Sequence, residues 1–176
     1  MNSPVLFREV QRFRQWWLWL VIIIGPLTIW YSTYRRLILG EHYGKKQTPD
    51  GLVVPLWLLI GIGLPLLFYS ARLITEVRTD GIYIRFFPFH LSFLRFAFDS
   101  IKACEARTYS PIGEYGGWGI RYSWNGKAYN VSGNQGVQLE LNNGKRILIG
   151  TQQPLDFMSA LRSLQPAPGP QSGAET

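Results

Sequence analysis

The stretch LVVPLWLLIGIGLPLLFYSA, residues 52–71, runs without a linker into RLITEVRTDGIYIRFF, residues 72–87. The first part holds twenty residues and no charge. As a helix rising ~1.5 Å per residue, that is enough to cross a ~30 Å hydrocarbon core. The second part alternates around Thr79-Asp80-Gly81, the pattern of two strands and their turn. An apolar helix that gives way at once to a β-hairpin predicts a small β-rich domain held close to a bilayer.

Upstream, residues 1–15 form a polar segment containing Arg8, Arg12 and Arg14. Residues 16–34 form a second uncharged block, followed by Arg35-Arg36. Trp16, Trp17 and Trp19 sit at one end of it, and Trp30, Tyr31 and Tyr34 at the other, as two membrane interfaces favour. A cleaved signal peptide is the competing reading, but the block is long and aromatic and no small-residue cleavage site follows. Two transmembrane helices, 16–34 and 52–71, joined by a loop over 35–51, would place both termini on one side. The flanks carry Arg8, Arg12, Arg14, Arg72, Arg78 and Arg85, against Arg35, Arg36, Lys45 and Lys46 in the loop. That balance predicts a multi-pass cell-membrane protein with cytoplasmic termini. Pro55, Gly61, Gly63 and Pro65 predict an irregular second helix, and self-assembly through it is left open.

Residues 72–165 read as short strands between turns. Leu73–Arg78 pairs with Ile82–Phe87, and Phe93–Phe98 and Ile101–Thr108 follow. Trp118–Trp124 and Lys127–Val131 form a hairpin across Asn125-Gly126, the strongest turn signal in the chain. Val137, Leu139 and Leu141 alternate with Gln138 and Glu140, and Asn142-Asn143-Gly144 turns this strand into Arg146–Ile149. Pro154 then opens a helix in which Leu155, Met158, Leu161 and Leu164 recur at helical spacing beside Phe157. Residues 166–176, rich in proline and glycine, read as a disordered tail.

The segment Gly136-Val137-Gln138-Leu139-Glu140-Leu141, the Gly144 turn, Lys145-Arg146-Ile147-Leu148-Ile149-Gly150 and Gln153-Pro154-Leu155-Asp156-Phe157 carry a likeness. They resemble the last hairpin and helix start of bacterial pleckstrin-homology-like (PH-like) domains. Such domains often follow two membrane spans in small prokaryotic proteins of unknown function. The resemblance covers about half the chain. It implies an antiparallel barrel or sandwich of about seven strands, capped by a C-terminal amphipathic helix. Phosphoinositide-binding members of the wider fold use a basic first hairpin with a roomy loop. The tight Thr79-Asp80-Gly81 turn, with only Arg78 and Arg85 nearby, departs from that and argues against a specific phosphoinositide pocket. Fold alone does not settle function.

Three groups of residues stand out. Pro88, Phe89, His90, Leu91 and Phe93 form a loop too apolar for ordinary exposure, which predicts contact with a partner or the membrane interface, or plain core packing. Glu114, Tyr115, Trp118 and Arg121 flank a glycine cluster, read as a recognition rim for a peptide or polar head group or as a bulge with a core tryptophan. Arg72, Arg78 and Arg85 are the candidate lipid-facing basic residues.

Eighteen Lys+Arg against eleven Asp+Glu leave a formal charge of +7, yet no run of basic residues marks a nucleic-acid stripe. His42 and His90 are expected on opposite sides of the membrane, which argues against a metal site, and the lone Cys104 reads as a buried thiol. No carboxylate pair, phosphate loop or catalytic constellation is present, and the spans hold no charge suited to transport. The expected role is non-enzymatic and cofactor-free: a binding or scaffolding module at the membrane surface with a protein partner. Anionic lipid recognition is the alternative, and an unrecognised enzyme or transport accessory the second.

Overall fold

The structure, a computed structural model, describes residues 3–39, 55, 56 and 58–164. The chain divides into two compact units, Met1–Gln11 with Arg72–Thr176, and Arg12–Ala71.

The first unit is built on β1 (Val5–Arg12), β2 (Arg72–Arg78), β3 (Gly81–Phe87) and β4 (Leu94–Ala97), which form a four-stranded sheet in that order. A second sheet contains β5 (Ile101–Thr108), β6 (Gly119–Ser123), β7 (Gly126–Asn130), β8 (Gln135–Leu141) and β9 (Arg146–Gly150), in the order β5-β8-β9-β7-β6. Alternation explains their burial. Leu73 and Val77 of β2, Ile82, Ile84 and Phe86 of β3, and Val137 and Leu139 of β8 all lose their surface to the core. A short helix, α3 (Pro111–Tyr115), follows β5. Ser110 caps it, its Oγ accepting from the Gly113 amide at 3.1 Å, and left-handed Gly116 ends it. The closing helix, α4 (Pro154–Arg162), packs on β2, β5 and β8. It buries Phe157 and Leu161, one turn apart, and leaves Leu155 exposed.

The second unit holds α1 (Trp16–Ile38), a π-helical turn at Leu59–Gly63, and α2 (Leu64–Ser70). Within it Phe13 meets Phe68 edge to face at 5.4 Å, and Trp19 Nε1 donates to the Phe13 carbonyl at 2.9 Å. Gly61 admits the Trp30 indole, which would lie 2.5 Å from an added Cβ.

This architecture corrects the fold expected from the sequence. Among the described residues only one helix, over Trp16–Arg35, is long and apolar enough to cross a membrane. The expected second span, 52–71, lies partly outside the described residues, at 52–54 and 57; among the described ones it contains a shorter apolar helix, Leu59–Ser70, about 18 Å long at ~1.5 Å per residue. Multi-pass insertion and cytoplasmic termini are accordingly not supported. Among the described residues there are nine strands, eight of them within 72–165 where about seven were expected, and they do not form an all-antiparallel barrel, because β7 and β9 run parallel. Residues 5–12, expected to be part of a polar segment, add a strand whose inward side chains include Glu9 and Gln11. An alternation that turns polar residues inward carries no apolar period. The second hairpin exists, but Ser123 pairs with Gly126, so its turn is Trp124-Asn125, one residue earlier than expected. Most of the loop 35–51, with His42, and the tail 166–176 lie outside the described residues.

Candidate functional site

Register builds one side of the first sheet into a basic, aromatic face. Arg72 lies opposite Phe87, Ile74 opposite Arg85, Glu76 opposite Tyr83, and Tyr83 opposite Arg95. Arg72, Arg78 and Arg85 therefore share a face, with Arg72 and Arg85 on a diagonal roughly 7–8 Å apart. The guanidinium of Arg72 lies over Phe87, 5.3 Å from its centroid. That of Arg85 lies over Phe93 at 4.7 Å. Arg78 is flanked by Tyr83 at 4.4 Å and Phe93 at 5.4 Å. Each ring offers its negative face to a cation and fixes it in place.

The charges are not equally matched. Glu76 is buried and accepts from Arg78 Nε at 2.9 Å and Nη2 at 2.6 Å, with Arg8 Nε 3.5 Å from its other oxygen. Asp80 accepts from Tyr83 at 2.6 Å and pairs with Arg95 at 3.1 Å. The Tyr83 hydrogen bond, helped by Arg95, holds the Asp80 carboxyl below its ordinary value. Among the described residues no carboxylate pairs with Arg72 or Arg85, and the Nε of each is buried without an acceptor. Two half-buried cations with spare donors can take an anion whose oxygens are spread over several ångströms.

The apolar loop divides. Phe93 underlies the arginines, His90 lies against Tyr129 at 5.7 Å, and Phe89 and Leu91 are 61 % and 80 % exposed. Pro88 is half-buried. Burial, with Lys127 nearby, lowers the His90 pKa, so the ring stays neutral near pH 7.

The glycine-flanked residues serve different tasks. Tyr115, 4 % exposed, is packed with Tyr109, Ala128 and Leu148 rather than set on a rim. Trp118 Nε1 donates to the Gly133 carbonyl at 3.1 Å, and Arg121 Nε to the Trp118 carbonyl at 2.9 Å. Glu114 accepts from Arg107 at 2.8 Å and from the Ser110 amide at 2.8 Å, which ties α3 to β5. Arg107, Glu114, Gln138 and Glu140 line a groove of about 360 Å³. Two of its carboxylates are paired, Glu114 with Arg107 in the groove and Glu140 with Lys102 outside the lining, each at 2.8 Å.

The Arg107 hydrogen bond holds the Glu114 carboxyl below its ordinary range. A carboxyl whose folded pKa is depressed contributes stability above its unfolded pKa and loses it as pH falls through the folded value. Acidification below about pH 4 is therefore expected to release α3, read as a change in Tyr115 and Trp118 near-ultraviolet dichroism. Glu114→Gln should abolish that step. An unchanged acid transition in the variant would assign it elsewhere.

Cys104 is half-buried, and burial pushes its thiol pKa up, the opposite of a nucleophile's environment. Among the described residues no His, Cys, Asp and Glu cluster could hold a metal ion. The supporting roles of Phe87, Phe93 and Tyr83 were not separable from core packing in the sequence. Strand register sets Phe87 and Tyr83 beside the arginines, and Phe93 joins them from the residue just before β4. No curated protein and no solved structure matches the chain. A family model described as Family of unknown function (DUF6141) matches residues 1–166, and the chain belongs to that family.

Proposed function

We propose that this protein is a membrane-associated binding module, not an enzyme, whose Arg72–Arg85 face takes a phosphate-bearing lipid head group. The observation that carries this reading is the pair of ring-backed guanidiniums with buried, unpartnered Nε atoms. Sequence position supports a lipid as the source of the anion, since Arg72 follows the apolar helix α2 after a single residue. The carboxylates on the same face are engaged with Arg8, Arg78, Arg95 and Tyr83, which leaves binding rather than proton transfer as its chemistry. A two-sheet domain closed by α4 supports kinship with PH-like domains in the placing of that helix. A protein partner is the second reading, favoured by the exposed Phe89 and Leu91.

The full chain in zwitterionic micelles would be titrated calorimetrically with short-chain phosphatidylglycerol and phosphatidylcholine, at low and high salt. Saturable binding of the anionic lipid alone, weakened by salt, is expected. Arg72→Gln and Arg85→Gln should each lower affinity about tenfold, about 1.4 kcal/mol. Equal affinity for both lipids, or variants that bind like the parent chain, would remove the lipid site and leave the protein reading.

A further inference from the structure

The basic face depends on β2, and β2 is bound to a strand on the other side of the apolar unit in the sequence. β1 neighbours β2 in one sheet, and Arg8 reaches Glu76. Its inward side chains hold it further. Phe7 stacks on Phe157 of α4 at 5.2 Å with 9° between the rings. Gln11 Nε2 donates to the Gly150 carbonyl at 2.7 Å. The Glu9 carboxylate accepts from the Thr151 hydroxyl and, at 2.9 Å, from the Gln152 amide. Glu9 and Gln11 are buried, so pulling β1 away would strand Thr151, Gln152 and Gly150.

The tethers to the apolar unit are short. Three residues separate Arg12 of β1 from Trp16 of α1, and one separates Ser70 of α2 from Arg72 of β2. Three extended residues span at most about 11 Å, far short of a ~30 Å hydrocarbon core. A lone crossing by α1 would put β1 and β2 on opposite faces of the bilayer and tear the sheet apart.

We propose that the unit Arg12–Ala71 enters a lipid bilayer and returns through the face it entered, closed at its base by the β1–β2 pairing. The proposal rests on the membrane reading above and goes beyond it. It makes α1 a permanent part of the protein rather than a cleavable leader or single-pass anchor, whichever way the domain faces. The occupant of the apolar surface is the bilayer interior. Almost none of the Trp16–Arg35 segment is buried, and Val21, Ile24, Leu59 and Leu66 are exposed.

The test uses the full chain in membranes of the expressing cell. In a Cys104→Ser background, Val10→Cys on β1 and Leu155→Cys on α4 each place one thiol at an exposed site. Leu6→Cys and Trp124→Cys form a second exposed pair should either of the first fail to accumulate. A membrane-impermeant maleimide is applied to right-side-out and to inverted vesicles. Both sites of a pair should react in the same preparation and be protected in the other, and the protein should stay in the pellet after alkaline carbonate. Reaction of the two sites in opposite preparations overturns the closed excursion but leaves membrane insertion standing. Release by carbonate overturns insertion itself, and the membrane reading with it.

Discussion

Deleting residues 3–11 is expected to abolish cooperative folding of the sheet domain, although these residues lie sixty positions from the rest of it in sequence. β1 supplies Phe7 to the core and the partners of Gly150, Thr151 and Gln152. Loss of a packed phenylalanine alone costs about 3 kcal/mol. Each buried polar group left without its partner, at Gly150 and Thr151, adds roughly 1–3 kcal/mol, and deletion also bares the edge of β2. Against a total stability on the order of 5–15 kcal/mol, the sum leaves little folded protein. Phe7→Ala should be the milder case, melting lower but still cooperatively. Near-ultraviolet dichroism and a thermal melt read both. A native spectrum and an unshifted melt in the deleted chain would show that β1 is an ornament on the sheet.

Gly126→Ala is the second large expected effect. The backbone there has φ +107°, and a Cβ would clash with the Arg146 carbonyl oxygen and sit 2.8 Å from its carbon. Both atoms are backbone of β9, against which β7 runs parallel, Lys127 beside Ile147. Neither can move without opening the pairing that centres the second sheet. The conformational penalty and the clash together should exceed about 3 kcal/mol. That corresponds to a fall of more than about 12 °C in Tm for a domain of this size. Gly144→Ala is the control. Its φ is +76°, with nothing within 4 Å of an added Cβ, so only the conformational cost of about 1–2 kcal/mol is expected. Equal melting of the two variants would refute the close approach of β7 and β9.

The candidate face was partly legible. Arg72 and Arg78 share a face because a strand alternates with period two, and the tight Thr79-Asp80 turn places Arg85 on that face. Which cation is neutralised was not legible. Glu76 could have served any neighbour, and only side-chain placement gives it Arg78 and Arg8. Phe93 read as a membrane or partner contact or as core packing, and the structure sets its ring beneath Arg85. Tyr115 read as part of a rim because three glycines follow within four residues. Left-handed Gly116 ends α3, and Tyr115 packs inward with Leu148.

By itself the sequence determined what local periodicity can carry: the apolar helix α1, the β2–β3 hairpin, the β8–β9 pair and the closing helix. Each is encoded by neighbours within a few residues of one another, where spacing and turn chemistry decide conformation. Only the tertiary structure decided that β1 belongs to the sheet domain and that β7 lies parallel to β9. These depend on partners as far apart as Glu9 and Thr151. A buried glutamate is acceptable only when distant donors meet it, and no local pattern reports that they will.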